Sequence, residues 1–319
     1  MHSGIPTKVL TAGVAGTLLA SLTACGSGSA SGSGVHIVTS VYPLEWLASQ
    51  VGGDAVTVTN LTEAGADPHE VELSPRQIGT VADADLVLHI RGLQPAVDDA
   101  VDQHAADRFL DPADVVDLLP VSSADHEHDG HAEEQHSGAD SHSHGGKDPH
   151  LWLDPERLAE VSAALADRLS DIDPDHAAAY QENHETVAGE LSDLSAAYTE
   201  SLDTCARREI VVTHAAFGYL AEMHDLEQIS VTGIDSHHED PSPARIAAVV
   251  REIDEHGVTT VFTSPLADPA IAETIASETG AEIALLDPLE SLTDDSPGTD
   301  YLSVMRANLD ALVSALGCS

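Results

Sequence analysis

Short apolar runs rich in β-branched residues alternate along the chain with longer segments in which apolar residues recur every three or four positions. The short runs predict β-strands and the periodic segments predict α-helices. The predicted strands are residues 35–40, 56–60, 86–90, 210–213, 258–263 and 282–286. The predicted helices are residues 44–51, 155–172, 243–256, 268–279 and 300–316. Because strands alternate with helices, the pattern predicts an α/β fold with mostly parallel sheets.

A long segment separates two groups of predicted elements. Residues 174–203 are rich in Ala, Glu and Leu and contain Gly189 as their only glycine, which predicts one continuous helix over most of the segment. We therefore expect two α/β lobes, residues 35–173 and 204–319, each a mostly parallel sheet flanked by helices. One long, rigid helix is expected to join them.

The N-terminal residues have the pattern of an export signal. Residues 1–24 contain one lysine, Lys8, then an apolar stretch that is too short to cross a membrane. Leu22-Thr23-Ala24-Cys25 resembles the bacterial lipobox, so we expect lipidation of Cys25 and a lipid-anchored, extracytoplasmic protein. Residues 25–34 are rich in Gly and Ser and predict a flexible tether. An ordinary signal peptide with an incidental cysteine is the alternative.

Two further cysteines, Cys205 and Cys318, lie outside the export signal. Outside the cytoplasm two such cysteines most simply form a disulfide. The bond would close a loop of about 110 residues, worth ~4 kcal/mol in the chain-entropy model. A free thiol or a metal ligand is the alternative, although neither cysteine has a neighbouring ligand at a useful spacing.

Charge and composition limit the classes of partner. The 319 residues correspond to about two domains, and 42% of them are apolar, which excludes a fully disordered chain. Twelve Lys and Arg against 55 Asp and Glu give 12 − 55 = −43, which argues against binding to nucleic acid or to an anionic membrane surface. Such a charge attracts cations or basic surfaces, but solubility in a high-salt setting would also produce it.

Histidine is abundant, with 19 in the chain, and is concentrated in residues 122–147. This segment, the His-rich loop, has no apolar periodicity, so we expect a mobile loop that collects transition metals weakly. A solvated charge run is the alternative. Its histidines are His126, His128, His131, His136, His142 and His144.

Three single histidines stand in more constrained positions. His69 and His150 each follow an Asp-Pro pair, and proline restricts the local backbone. His214 comes directly after the predicted strand 210–213, and Asp287 directly after strand 282–286. In open parallel sheets, ligands collect at the carboxyl ends of strands. Taken singly, each histidine fits a surface or capping role as well as a metal site.

Several motifs occur in a recognisable order: DPHEVELSPRQIGTVADADLVLHI, DPHLWLDP, VVTHAAFGYL, EDPSPARIAAVV and ALLDPL. In this order the chain resembles the metal-binding lipoproteins of zinc and manganese ABC importers, the cluster that includes ZnuA and TroA. The resemblance covers essentially the whole mature chain. It implies a monomeric binding protein that delivers a metal ion to an ABC permease. It also implies that His69 and His150 from the first lobe, with His214 and Asp287 from the second, hold that ion between the lobes.

Zinc is the expected ion. Three imidazoles and a carboxylate or water form a tetrahedral set for Zn(II), whereas manganese prefers oxygen ligands. Manganese members of the family usually carry a carboxylate where this chain has His214. The His-rich loop also looks like that of the zinc branch. The fourth ligand stays open between Asp287, water and another carboxylate.

Other functions also fit parts of the sequence. A manganese or iron protein of the same family and a surface adhesin with a structural metal are alternatives. A secreted zinc hydrolase commonly carries H-E-x-x-H on a helix, but His69-Glu70 is followed by Val71-Glu72-Leu73. We therefore expect no enzymatic activity. His237 and His238 depart from the family pattern and are interpreted as solvated loop residues.

Overall fold

A computed structural model describes residues 34–121, 146–234 and 241–319. The first lobe has a four-stranded parallel sheet with the strand order β2-β1-β3-β4. Its elements are β1 (Val35–Thr39), α1 (Tyr42–Gly52), β2 (Val56–Asn60), α2 (Pro75–Asp83), β3 (Leu86–Leu88), α3 (Pro95–His104), β4 (Phe109–Leu110) and α4 (Pro155–Ile172). Helix α5 (Ala177–Leu202) then leads into the second lobe.

The second lobe repeats this arrangement, with a parallel sheet in the order β6-β5-β7-β8. Its elements are β5 (Glu209–Val212), α6 (Gly218–His224), β6 (Glu227–Ser230), α7 (Pro243–His256), β7 (Thr260–Thr263), α8 (Pro269–Thr279), β8 (Glu282–Leu285) and α9 (Tyr301–Leu316). In each sheet the first strand lies between the second and the third. The loops at its carboxyl edge therefore diverge there and leave a crevice, which is where open parallel sheets bind ligands.

Helix α5 is the long connection that the sequence predicts. Residues 174–176 form a single 3-10 turn, and α5 continues for 26 residues, or about 39 Å. It packs against α1 and α4 of the first lobe and against α9 of the second. The α/β class, the two parallel sheets and the long joining helix are thus confirmed, while the lobe boundaries stay predictions.

A continuous apolar core runs through both lobes. Trp46 of α1 stacks on Tyr301 of α9, with 4.6 Å between ring centroids and 25° between ring planes. The Tyr301 hydroxyl donates to the backbone carbonyl of Trp152 at 2.6 Å, and both side chains are fully buried. Wide separation of the lobes would expose this shared apolar surface to water, whereas a small shift of one segment would not. The shared core therefore favours small shifts of individual segments over wide separation of the lobes.

The predicted disulfide between Cys205 and Cys318 is confirmed. It joins the chain just after α5 to the chain just after α9, across a sequence separation of 113 residues. Closing a loop of that length contributes ~4 kcal/mol in the chain-entropy model. The bond holds the C-terminal helix against the start of the second lobe.

The predicted strands and helices are present, with ends that differ by a few residues. Five elements were not predicted: α2, α3, β4, α6 and β6. Of these, α2 had a readable signal, because Ser74 and Gln77 form a capping box at its start. Strand β4 has two residues and β6 reads EQIS, so neither shows an apolar run.

Some predictions fall outside the described residues. Cys25 and the export signal, all six histidines of the His-rich loop, and His237 with His238 are among them. Within the described chain, no helix combines the length and apolar character that crossing a membrane requires.

Candidate metal centre

Three histidines and one glutamate converge where the two lobes meet. Oε1 of Glu290 lies 2.9 Å from Nε2 of His69, 2.8 Å from Nε2 of His150 and 3.3 Å from Nε2 of His214. The imidazole centroids form a nearly equilateral triangle, with sides of 5.6, 5.6 and 5.3 Å. One potential ligand atom from each of the four residues lies within 4.8 Å of all the others.

The same backbone turn presents two of the histidines. In Asp67-Pro68-His69 and in Asp148-Pro149-His150, the aspartate Oδ1 accepts a hydrogen bond from the histidine backbone N–H, at 2.9 Å in both. An Asp side chain that bonds to the backbone two residues on fixes a tight turn, and the proline restricts it further. Each histidine therefore leaves a preformed turn rather than a flexible loop.

A third Asp-Pro turn, residues 287–290, presents the glutamate. Oδ1 of Asp287 accepts from the backbone N–H of Leu289 at 2.8 Å, and Glu290 is the next residue. The group of four thus contains Glu290, whereas the sequence analysis named Asp287, which lies three residues earlier and closes the turn. The sequence does carry a sign of Glu290: a second carboxylate, three residues after Asp287, within the Asp-Pro segment that follows a predicted strand.

His214 reaches the centre from the carboxyl edge of the second sheet. It follows β5 by two residues, and the intervening Thr213 N–H donates to the Phe262 carbonyl at 2.9 Å, which extends the pairing with β7. Its side chain is 1% exposed. The end of this strand thus brings His214 into the group of four, with its Nε2 at 3.3 Å from Oε1 of Glu290.

Burial and hydrogen bonding define the electrostatics of the site. The side chains of His69, His150 and Glu290 are 2%, 0% and 0% exposed. Burial by itself lowers the pKa of His150, but hydrogen bonds to the carboxylates of Asp148 and Glu290 outweigh it and raise that pKa to about 9. Without a metal, His150 therefore carries a proton at neutral pH, which balances buried negative charge.

The donor set suits a small borderline cation. In a tetrahedral site with zinc–ligand bonds of about 2.0–2.1 Å, neighbouring ligand atoms lie about 3.3 Å apart. The distance from Glu290 Oε1 to His214 Nε2 is 3.3 Å. The distances from the same oxygen to Nε2 of His69 and of His150 are shorter than this by 0.4 and 0.5 Å. Three of the six ligand-to-ligand distances therefore lie within about 0.5 Å of those in a four-coordinate ZnN₃O centre, and all four residues offer a ligand atom within 4.8 Å of the others.

Comparison with known families agrees with this chemistry. Residues 37–315 match the family described as "Zinc-uptake complex component A periplasmic". The chain belongs to this family. It is 31% identical to the high-affinity zinc uptake system protein ZnuA of Bacillus subtilis, over 92% of this chain and 93% of that protein. It is 32% identical to the zinc-binding lipoprotein AdcA of Streptococcus pneumoniae, but it spans only 58% of the length of that relative.

Solved structures show the same fold. Zn(II)-bound AdcA of Streptococcus pneumoniae matches with a TM-score of 0.73 and 29% identity, over 89% of this chain and 58% of AdcA. The laminin-binding protein Lmb of Streptococcus agalactiae, described as an adhesin with metal transporting activity, matches with a TM-score of 0.75 and 28% identity, over 89% of this chain and all of that protein. The family is that of a periplasmic component of zinc uptake, which is a binding role rather than a catalytic one.

Proposed function

We propose that this protein captures Zn(II) outside the cytoplasm and delivers it to the permease of an ABC importer. The observation that carries the proposal is the convergence of three buried imidazoles and one buried carboxylate on one point between the lobes. Only metal–ligand bonds form and break in this function, and no covalent bond of a substrate is changed. Binding requires ligands that are already placed, and release requires that one of them move.

The proposed ligands are His69, His150, His214 and Glu290. Glu290 takes the place that the sequence analysis gave to Asp287 or water, because its Oε1 lies within 3.3 Å of all three imidazole Nε2 atoms. Its negative charge also offsets one of the two charges of the ion. A buried ion with three neutral ligands alone would retain both charges in a region of low dielectric, which is costly.

Zinc is favoured over manganese by number and type of ligand. Manganese prefers hard oxygen ligands, whereas zinc binds three histidines and a carboxylate readily. The centre offers one carboxylate, and its four side chains are at most 2% exposed, which restricts the approach of additional water ligands. Binding and transport of manganese or iron, as in other members of the same family, is the second candidate function.

The ligand set is tested by measuring zinc affinity in competition with a chromogenic chelator. Each of four replacements by alanine should weaken zinc binding by more than about 100-fold: His69, His150, His214 and Glu290. Replacing a residue that only orients a ligand typically costs about 10- to 100-fold. His104→Ala is the matched control, since His104 is an exposed histidine on α3. An unchanged tight site in His69→Ala would contradict the proposal.

The choice of metal is tested by exposing the purified protein to equal concentrations of zinc and manganese, followed by elemental analysis. We expect near-stoichiometric zinc and little manganese. If the protein bound mainly manganese, the result would support a manganese-binding member of the same family instead.

We further propose that the His-rich loop collects metal ions, that lipidated Cys25 anchors the protein and that it acts as a monomer. Replacing His126, His128, His131, His136, His142 and His144 by serine should lower the total bound zinc while the tight site keeps its affinity. Loss of the tight site in that variant would contradict this division of roles.

For the anchor, Cys25→Ala should release the protein from the membrane fraction.

A further inference from the structure

The turn that carries Glu290 contains a strained residue. Leu289 is fully buried and has φ of 61°, in the left-handed region that residues other than glycine rarely adopt. Such a conformation persists only when the surrounding structure imposes it. The hydrogen bond from Leu289 N–H to Asp287 acts within the turn, so contacts from elsewhere must fix the turn in space.

Asn308 supplies two such contacts. This residue of α9 is fully buried. Its Oδ1 accepts from the backbone N–H of Asp287 at 2.9 Å, and its Nδ2 donates to the backbone carbonyl of Asp287 at 2.7 Å. One amide side chain therefore satisfies both backbone groups of the residue that begins the turn, and it holds that residue at a fixed distance from the helix.

Trp152 holds the opposite side of the same turn. Its Nε1 donates to the backbone carbonyl of Pro288 at 2.8 Å, and the ring is fully buried. The indole also lies edge-on to the ring of His150, with 5.2 Å between centroids. The two residues before Leu289 are thus bonded from α9 on one side and from the His150 segment on the other.

We propose that Asn308, together with Trp152, positions the Glu290 carboxylate for zinc and thereby contributes to zinc affinity and selectivity. This inference rests on the proposed function. A carboxylate fixed as the fourth ligand favours four-coordinate zinc. A carboxylate on a loosened turn can swing, bind through both oxygens and admit water, which suits the higher coordination numbers of manganese. Both of these hydrogen bonds of Asn308 are to the backbone of Asp287, so Asn308 acts through the backbone of residues 287–290.

The test is a double-mutant cycle of Asn308→Leu and Glu290→Gln. Leucine has a similar size but cannot form either hydrogen bond. We expect Asn308→Leu to weaken zinc binding by about 10- to 100-fold, the usual effect of a residue that orients a ligand. The same change in the Glu290→Gln protein should cost less than about 3-fold, because the carboxylate it positions is absent. The zinc-to-manganese affinity ratio should fall in Asn308→Leu.

The control for general destabilisation is Leu312→Ala. Leu312 lies one turn further along α9, is equally buried and has no polar side-chain atom. It should lower stability while leaving zinc affinity and the visible spectrum of the Co(II)-loaded protein unchanged. Asn308→Leu should weaken the strong absorption of four-coordinate Co(II). If Asn308→Leu does not fold, Trp152→Phe enters the same cycle, with a smaller expected loss of affinity.

The possible outcomes distinguish a failure of the positioning role of Asn308 from a failure of the proposed ligand set. Equal losses from Asn308→Leu in both backgrounds, or an equal loss from Leu312→Ala, would overturn the positioning role and leave the ligand set intact. Full zinc affinity in Glu290→Gln alone would instead overturn the ligand set of the proposed function.

Discussion

Two turns with the same sequence, Asp-Pro-His, place two of the proposed ligands in different surroundings. The Asp67 turn and the Asp148 turn have the same backbone hydrogen bond at the same length, 2.9 Å. Beyond that bond, Asp148 also accepts from Nδ1 of His150 at 2.8 Å, and the buried Trp152 ring flanks the imidazole. Local chemistry thus sets the turn, and packing decides how firmly its histidine is held.

The His69 turn lies at the edge of the cleft. Residues 63–65 and Glu70, on either side of it, are exposed. A cavity of about 380 Å³ borders the segment and is lined by its own residues, including Glu63, Asp67 and Glu70. A hydrogen bond of 2.7 Å from Gly65 N–H to the Ser291 hydroxyl joins it to the second lobe. We therefore expect His69 to be the ligand that moves when zinc enters or leaves.

The largest expected difference between the turns concerns the stability of the metal-free protein. His150→Ala leaves the buried carboxylates of Asp148 and Glu290 without the imidazole between them, and breaking a buried pair in this way costs about 3–5 kcal/mol. His69→Ala should cost distinctly less, because Glu290 then keeps its hydrogen bond to His150 at 2.8 Å. Urea unfolding of the two variants measures the difference, and equal losses would contradict the distinction between the turns.

The next prediction concerns the carboxylate that orients His150. Asp148→Asn preserves an oxygen for the turn but removes the charge beside Nδ1, so zinc affinity should fall by about 10- to 100-fold. Asp268→Asn is the matched control, because Asp268 forms the same kind of turn with Ala270 at the exposed start of α8. A loss of less than 3-fold in Asp148→Asn, measured by chelator competition, would show that the turn alone suffices.

The pH dependence follows from the same pair. The pKa of His150 is raised from 6.5 to about 9 in the metal-free fold. Protonated His150 therefore contributes to stability fully below about pH 6.5, and this contribution is lost as the pH rises through about 9. Zinc needs the neutral ring, so its affinity should increase by about tenfold per pH unit between pH 7 and 9, with one proton released per ion.

Isothermal titration in buffers with different ionisation enthalpies counts the released proton. Asp148→Asn should lower the pKa of His150 and flatten the affinity profile above pH 7. A wild-type affinity that does not change between pH 7 and 9 would contradict the raised pKa.

The smallest expected effect is on the His69 side. Ser291→Ala removes the acceptor for Gly65 N–H, a hydrogen bond worth about 1 kcal/mol, and should speed zinc release by roughly 5-fold. Stopped-flow mixing with excess chelator measures the rate. Ser277→Ala on α8 is the control, since Ser277 is exposed and bonds only within its own helix among the contacts described. An unchanged release rate would place the moving segment elsewhere.

Much of this architecture is predictable from local patterns. Strand β1 follows from a run of β-branched residues, helix α4 from apolar periodicity and the long helix α5 from its Ala, Glu and Leu content. The pairing of Cys205 with Cys318 follows from the cysteine count. Strand β6 was not predictable in this way, because its residues EQIS owe their strand conformation to pairing with β5 rather than to an apolar run. Tertiary pairing overrides weak local preference in such segments.

The site was partly predictable for a related reason. The two Asp-Pro-His motifs and the histidine after β5 are visible as local patterns that the family resemblance joins into one site. Asp287 and Glu290 are three residues apart and chemically similar. Which of them faces the histidines depends on the left-handed backbone of Leu289 and on Asn308, which lies on α9, 18 positions after Glu290. No local pattern reports that geometry.

The ends of the His-rich loop meet at a short antiparallel bridge between Pro120 and Lys147, with Val121 N–H donating to the Gly146 carbonyl at 2.9 Å. Because its entry and exit are held together, each doubling of the intervening length costs only about 0.6 kcal/mol in closure entropy. A change in the length of the segment between these ends would therefore cost little free energy of folding and need not disturb His150, three residues after Lys147.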